Sequence, residues 1–255
     1  MITKQRYLPL AGYPVLSISA ARLCALLQTH LEAKEKLALV FANTNFATQC
    51  QRMRPWLCKN DVAIVNDGVG MDIAAVLKHG VRFPENLNGT DFVPHFFQQL
   101  NRPTKIFLLG GQPGVAANAA RVITSLSGQV VVGVHDGYTP IAAADLTAMI
   151  NTSGAEVILV ALGDPMQEEW IRDNMHASNA TLFVCVGALF DFLSGKAVRA
   201  PRWVQRLHME WFYRLLQEPK RLAQRYSVDI VRFLFLCLRY QRGQIGSLDA
   251  LPNRL

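Results

Sequence analysis

Six short apolar runs recur along the first two hundred residues: "KLALVFANT", "DVAIVND", "KIFLLGG", "QVVVGVHDG", "EVILVALGD" and "TLFVCVGAL". Each is rich in aliphatic or β-branched side chains and gives way to Gly, Asp or Asn, the pattern of a strand buried on both faces. Helix-permissive stretches such as "MDIAAVLKHG", "GVAANAARVITSL" and "PMQEEWIRDNMH" follow most of them. Strand, turn and helix in repeated succession predict an α/β fold, a Rossmann-like, doubly wound, mostly parallel sheet covered on both faces. In such sheets ligands bind beyond the carboxyl ends of the strands. Asp67, Gly110, Gly111, Asp136, Gly163, Asp164 and Gly187 all fall at predicted strand ends.

After about Phe190 the pattern becomes helical, aromatic and basic, punctuated by Pro201 and Pro219. The predicted organisation is therefore an α/β core over residues 1–195 and a helical appendage over 196–255. Charge follows the same division. The 255-residue chain carries a net +7, and residues 196–242 hold eleven basic against three acidic side chains, so the remainder is close to neutral. Such a segment suits an anionic partner. Five scattered cysteines without a CxxC pair predict reduced, packed thiols and a cytoplasmic setting. The opening residues show no secretory signal, and no run is long and apolar enough to predict a spanning helix.

Several strand ends could carry chemistry. Asp67, where "IVND" meets "GVG", could bind a ligand, act as a base or cap the following helix. Gly110 and Gly111 precede a helix with Pro113 near its start, leaving backbone N–H groups for a phosphate or forming an ordinary tight turn. "LGDPMQEEWI" repeats that logic, with Gln167 and Glu168 in the first turn; Asp164 with Glu168 also reads as capping chemistry. No Asp-x-Asp, HExxH or GxSxG sequence occurs. Charge on a phosphate ester would then be met by helix N-termini and positive side chains.

The basic segment supplies such side chains. Arg214, Arg221 and Arg225 recur at roughly helical spacing among Trp211, Phe212, Leu215 and Leu216. A nucleic-acid face and a membrane-interface segment both fit that pattern. "IVRFLFLCLRY", residues 230–240, favours the membrane, because its apolar content gives depth in lipid and adds nothing to nucleic-acid recognition; a core helix is the alternative.

Taken in order, "NDGVGMDIAAVLKHG", "NGTDF", "FLLGGQPGVAANAA", "DGY", "LGDPMQEEWI" and "VGALFDFLSGKAVRAPRWVQRLHMEWFYRLLQEPKRLAQRY" resemble the consecutive signatures of the WecG/TagA/CpsF glycosyltransferases, from about Ala42 to Tyr226. The resemblance implies an inverting enzyme without a required metal or other cofactor, peripheral on the cytoplasmic face of the bacterial plasma membrane. Its expected partners are a UDP-sugar, a polyprenyl-diphosphate-linked saccharide and the membrane surface, with no nucleic acid and with homo-oligomers possible. By position it makes Asp67 the catalytic base. It places Asn43 in the first strand-end motif, Gln167 and Glu168 in a Pro-x-Gln-Glu element, and Arg214 and Arg221 near the diphosphate. With the strand ends and the basic segment read above, the expected donor residues are Asn43, Gly110, Gly111, Asp136, Gly163, Gln167 and Glu168, and the expected diphosphate or lipid-acceptor residues are Arg199, Arg214, Arg221 and Arg225. Phe41, Ala42 and Asn43 stand where relatives making N-acetylmannosaminyl linkages read Thr-x-Asn, and Glu85, Asn86 and Leu87 where they read Glu-Arg-Val. The donor is accordingly expected to be a hexose of glucose or N-acetylmannosamine type, in exopolysaccharide, capsule or cell-wall polymer synthesis. A non-catalytic, membrane-surface scaffold that binds nucleotide-sugar is the alternative.

Overall fold

The computed structural model describes residues 6–198, 200, 201, 204, 213 and 219–240, with residues 219–228 as backbone. The strands are β1 (Arg6–Leu10), β2 (Tyr13–Ser17), β3 (Leu37–Ala42), β4 (Val62–Asn66), β5 (Lys105–Gly110), β6 (Val130–His135), β7 (Val157–Ala161) and β8 (Leu182–Cys185). They form one sheet in the order β1-β2-β4-β3-β8-β7-β5-β6, parallel throughout except for β1. The helices used below are α1 (Ala20–Ala33), α2 (Thr44–Gln49), α3 (Arg54–Leu57), α4 (Val69–His79), α5 (Gly89–Gln99), α6 (Val115–Ser127), α7 (Ala143–Ser153), α8 (Met166–Asn174), α9 (Leu189–Leu193) and α10 (Pro219–Arg239).

Alternation along β3 explains why the strands read as continuous apolar runs. Leu37, Leu39 and Phe41 enter one core with residues of α1, α5, α6 and α9, whereas Ala38, Val40 and Ala42 enter the other. That second core takes residues of α2, α3, α4, α7, α8 and α10. A strand with apolar neighbours on both faces has no polar side to show.

All six expected strands form, with one difference in burial: β6 is an open edge whose side chains are half-buried or exposed. The N-terminal hairpin of β1 and β2 was not predicted. Its strands contain Pro9 and Pro14, which lie opposite each other in the register, and a proline normally demotes a run to an edge or to no strand at all. Here Pro9 lies on the outer strand β1, and Pro14 comes just before the Val15–Leu16 stretch through which β2 pairs with β4.

The stretch 230–240 divides its side chains. Phe233, Leu236 and Cys237 are buried in the core of β1, α2 and α4, while Val231, Phe235 and Leu238 point outward, each more than half exposed. The end of α10 is held by Lys78, whose ammonium donates to the carbonyls of Cys237 (2.9 Å) and Tyr240, and by Arg54, stacked 4.4 Å over the Tyr240 ring. Among the described residues no helix is long and apolar enough to cross a membrane.

From β4 the chain passes β3, β8 and β7 before it begins β5. That jump leaves the carboxyl ends of the central strands facing a common opening, the place where open α/β sheets bind ligands.

Candidate active site

Loops leaving β3, β4, β5, β7 and β8 enclose a cleft of about 1000 Å³. Asn43, Asp67, Gly111, Gly163 and Gln167 line it, each just beyond a strand end or in the helix turn that follows. Asp229 of α10 closes part of the wall, so this helix shares the cleft.

Asp67 is positioned by its backbone. Its N–H donates to the carbonyl of Ala42 at 2.8 Å, tying the end of β4 to the end of β3. Gly68 then turns the chain into α4 at a φ of +89°, a conformation that favours glycine. The Gly68 N–H, a donor within local reach, is taken by Asn86 Oδ1 at 2.7 Å. Asn66, fully buried, holds the loop that carries Asn86 by donating to the carbonyl of Glu85 at 2.9 Å. The Asp67 carboxylate lines the cleft, with Asn43 Nδ2 at 3.5 Å.

Asn43 has two tasks. Its Oδ1 accepts from the N–H groups of Asn45 and Phe46, both at 3.0 Å, capping α2, and its amide nitrogen faces Asp67. Gln167, 4% exposed, is similarly divided: Nε2 donates to Asp164 Oδ1 (2.9 Å) and Glu168 Oε1 (2.8 Å), and Oε1 accepts from Gly187 N–H (3.3 Å).

Glu168 lies behind that wall, fully buried, beside Cys50 and Cys185. Burial, together with the negative charge of Asp164, pushes its carboxyl up to about 8, so it is mostly a neutral acid at neutral pH. The same burial and carboxylate charges raise the Cys50 and Cys185 thiols. Glu168 thus supports Gln167 from within the protein.

Two further expected donor residues lie outside the lining. Asp136 accepts from the N–H groups of Tyr138 (2.8 Å) and Thr139 (2.7 Å) and from the Thr139 hydroxyl (2.8 Å), bonds that hold its carboxyl below the usual range. It shapes a rim turn and leaves Gly137 and Tyr138 to line the cleft. Gly110 is a packing position: at φ +114°, an added Cβ would meet the Ala161 carbonyl oxygen at 2.3 Å. Only a residue without a side chain allows β5 that close to the end of β7.

Arg199 and Arg214 lie outside the described residues; Arg221 and Arg225 are on the stretch of α10 described as backbone. Asn45, Asp191 and Lys196 were not among the predicted site residues, yet they line the cleft, the last two as an ion pair at 3.1 Å. Asn45 could have been suspected from "NTN", which places two amides at the start of one helix. Nothing local marks Asp191 or Lys196. Among the described residues, no group of three or more His, Cys, Asp or Glu is arranged to hold a metal ion.

A cleft of this size at the strand ends, with a carboxylate, several amides and glycine-rich turns, suits a polar ligand bearing hydroxyls and phosphate. Glycosyltransferases, which need a sugar donor and an acceptor, bind ligands of that chemistry. The sequence matches the Glycosyl transferase WecG/TagA/CpsF family from residue 8 to residue 246, nearly its whole length, and the chain belongs to that family.

Proposed function

We propose that this glycosyltransferase moves a hexose, of glucose or N-acetylmannosamine type, from a UDP-sugar to a polyprenyl-diphosphate-linked saccharide, with inversion. One observation carries the reading: Asp67 stands at the end of β4 on the wall of a cleft large enough for donor and acceptor together. The acceptor hydroxyl oxygen forms its bond to the anomeric carbon while the bond from that carbon to the UDP phosphate oxygen breaks. The hydroxyl proton passes to Asp67, and UDP leaves with the electron pair. A positioned base of this kind contributes about 10² to 10⁴ in rate. Backbone N–H groups near Gly111 and Gly163, with Arg199, Arg214, Arg221 and Arg225, meet the charge that develops on the leaving diphosphate.

The acceptor's lipid places the reaction at a membrane surface. Outward-facing Val69, Ile73, Val76 and Leu77 on α4 and Val231, Phe235 and Leu238 on α10 support that placement, as does the basic excess of residues 196–242. Release of UDP by detergent-dispersed protein, given a panel of UDP-sugars and a lipid-diphosphate monosaccharide, tests the activity. Turnover with one donor is the expected result, and silence across the panel with UDP still bound would count against catalysis. For the surface, Phe235→Glu should reduce recovery with anionic vesicles while leaving UDP affinity unchanged.

A further inference from the structure

The cleft contains a second carboxylate at a distinct place. Asp164 leaves β7 through Leu162 and Gly163 and lines the cavity on the side of β5, β7 and β8, while Asp67 enters from β4. Two amides aim it: Asn45 Nδ2 donates to Oδ2 at 2.8 Å, and Gln167 Nε2 donates to Oδ1 at 2.9 Å. Asn45 is two residues from Asn43, which faces Asp67, so the first turn of α2 stands between the two acids. Gln167 is buried and backed by Glu168, which gives the Asp164 carboxylate a rigid mount.

The surrounding charge selects the ligand. Near Asp164 the wall offers neutral amides from Asn45, Gln49 and Gln167, and among the described lining residues the one cation is Lys196, paired with Asp191. A sugar carboxylate held against the Asp164 carboxylate would be repelled. A neutral polyol suits the place, since its hydroxyls donate to carboxylate oxygens and exchange hydrogen bonds with amides. The adjacent strand end carries Gly111, on the side where the donor diphosphate is placed above, so a ring joined to that diphosphate reaches Asp164 before an acceptor entering past Asp67.

We infer that Asp164, oriented by Asn45 and Gln167, binds hydroxyls of the sugar being transferred, and that this sugar is uncharged. The inference rests on the donor reading in the preceding section and adds the residue that reads the ring and the exclusion of acidic sugars. Its test is equilibrium binding to the full-length, detergent-dispersed protein, using UDP, UDP-glucose, UDP-N-acetylmannosamine and UDP-glucuronate.

The unaltered protein should bind one of the two neutral UDP-sugars at least about tenfold more tightly than UDP, and UDP-glucuronate no better than UDP, since a tenfold preference corresponds to roughly one good hydrogen bond. Asp164→Ala should abolish that preference while UDP affinity stays within about threefold, which also reports that the cleft has folded. The isosteric Asp164→Asn should weaken the neutral sugar less and improve the standing of UDP-glucuronate. Equal loss of UDP and UDP-sugar in both variants would make Asp164 a nucleotide or structural residue and overturn the inference. An undiminished sugar preference in Asp164→Ala, or no such preference in the unaltered protein, would overturn it as well. Failure of the unaltered protein to bind UDP at all would remove the donor reading itself, an outcome distinct from the others.

Discussion

Two strands of the sheet end in Asp-Gly, and the two dipeptides have opposite fates. After β6, Asp136 bends back on its own turn and accepts three hydrogen bonds from Tyr138 and Thr139. After β4, the Asp67 carboxylate lines the cleft beside Asn43. The N–H of the following glycine is held from a distance in both turns, Gly68 by Asn86 Oδ1 at 2.7 Å and Gly137 by the Gly111 carbonyl at 2.9 Å. The difference therefore lies in where each carboxylate stands: Asp67 on the cleft wall, Asp136 over its own turn. An Asp-Gly strand end does not by itself decide whether the carboxylate faces a ligand cleft or holds its own turn.

The sharpest way to separate the two acids is to neutralise each. Asp67→Asn should lower turnover by about 10² to 10⁴ while UDP affinity and thermal midpoint stay close to normal, and Asp136→Asn should leave turnover nearly unchanged. Comparable losses in both variants would remove the distinction. Next in size is Asn86→Ala, which removes the acceptor of the Gly68 N–H and loosens the turn that carries Asp67. Turnover should fall by up to about tenfold, the worth of one lost hydrogen bond, while UDP affinity stays close to normal.

Glu168 tests the wall behind the cleft through pH. Its folded-state pKa is raised from an ordinary 4.5 to about 8, so the stability of the neutral buried acid is whole below the ordinary carboxyl range and is lost as pH rises toward 8. Thermal midpoints between about pH 5 and pH 9 should fall more steeply for the unaltered protein than for Glu168→Gln; parallel curves would show that the residue ionises without cost. The smallest effect is expected at Asp136→Ala. The hydrogen bonds that depress the Asp136 pKa stabilise the turn at neutral pH and fade on acidification through that lowered pKa. The variant should be slightly less stable at pH 7 and should converge with the unaltered protein in acid, with activity little changed.

Where the sequence was legible, one physical feature accounts for it. Strands β3, β4, β5, β7 and β8 are buried on both faces, so their composition announces them without reference to anything else. The β1–β2 hairpin was hidden because two prolines argue locally against strands; Pro9 is tolerated on the sheet's outer strand, and Pro14 ahead of the residues that pair β2 with β4. The residues 230–240 read as membrane-seeking or as core; the helix has both faces, with Phe233 inside and Phe235 outside. Composition measures how apolar such a segment is and leaves open which side finds a partner.

The site divides along the same line. The sequence by itself determined the alternating α/β architecture, the strand-end positions of Asp67, Gly111 and Gly163, and the family, because strand burial, turn chemistry and motif order are local or collinear properties. Tertiary structure decided that Asn45 and Asp164 meet across 119 residues, that Gly110 serves packing, that Asp136 turns inward on its own loop, and that Glu168 is buried as an acid. Hydrogen-bond partners and desolvation belong to neighbours in space, and the chain brings those neighbours together only when the sheet has closed.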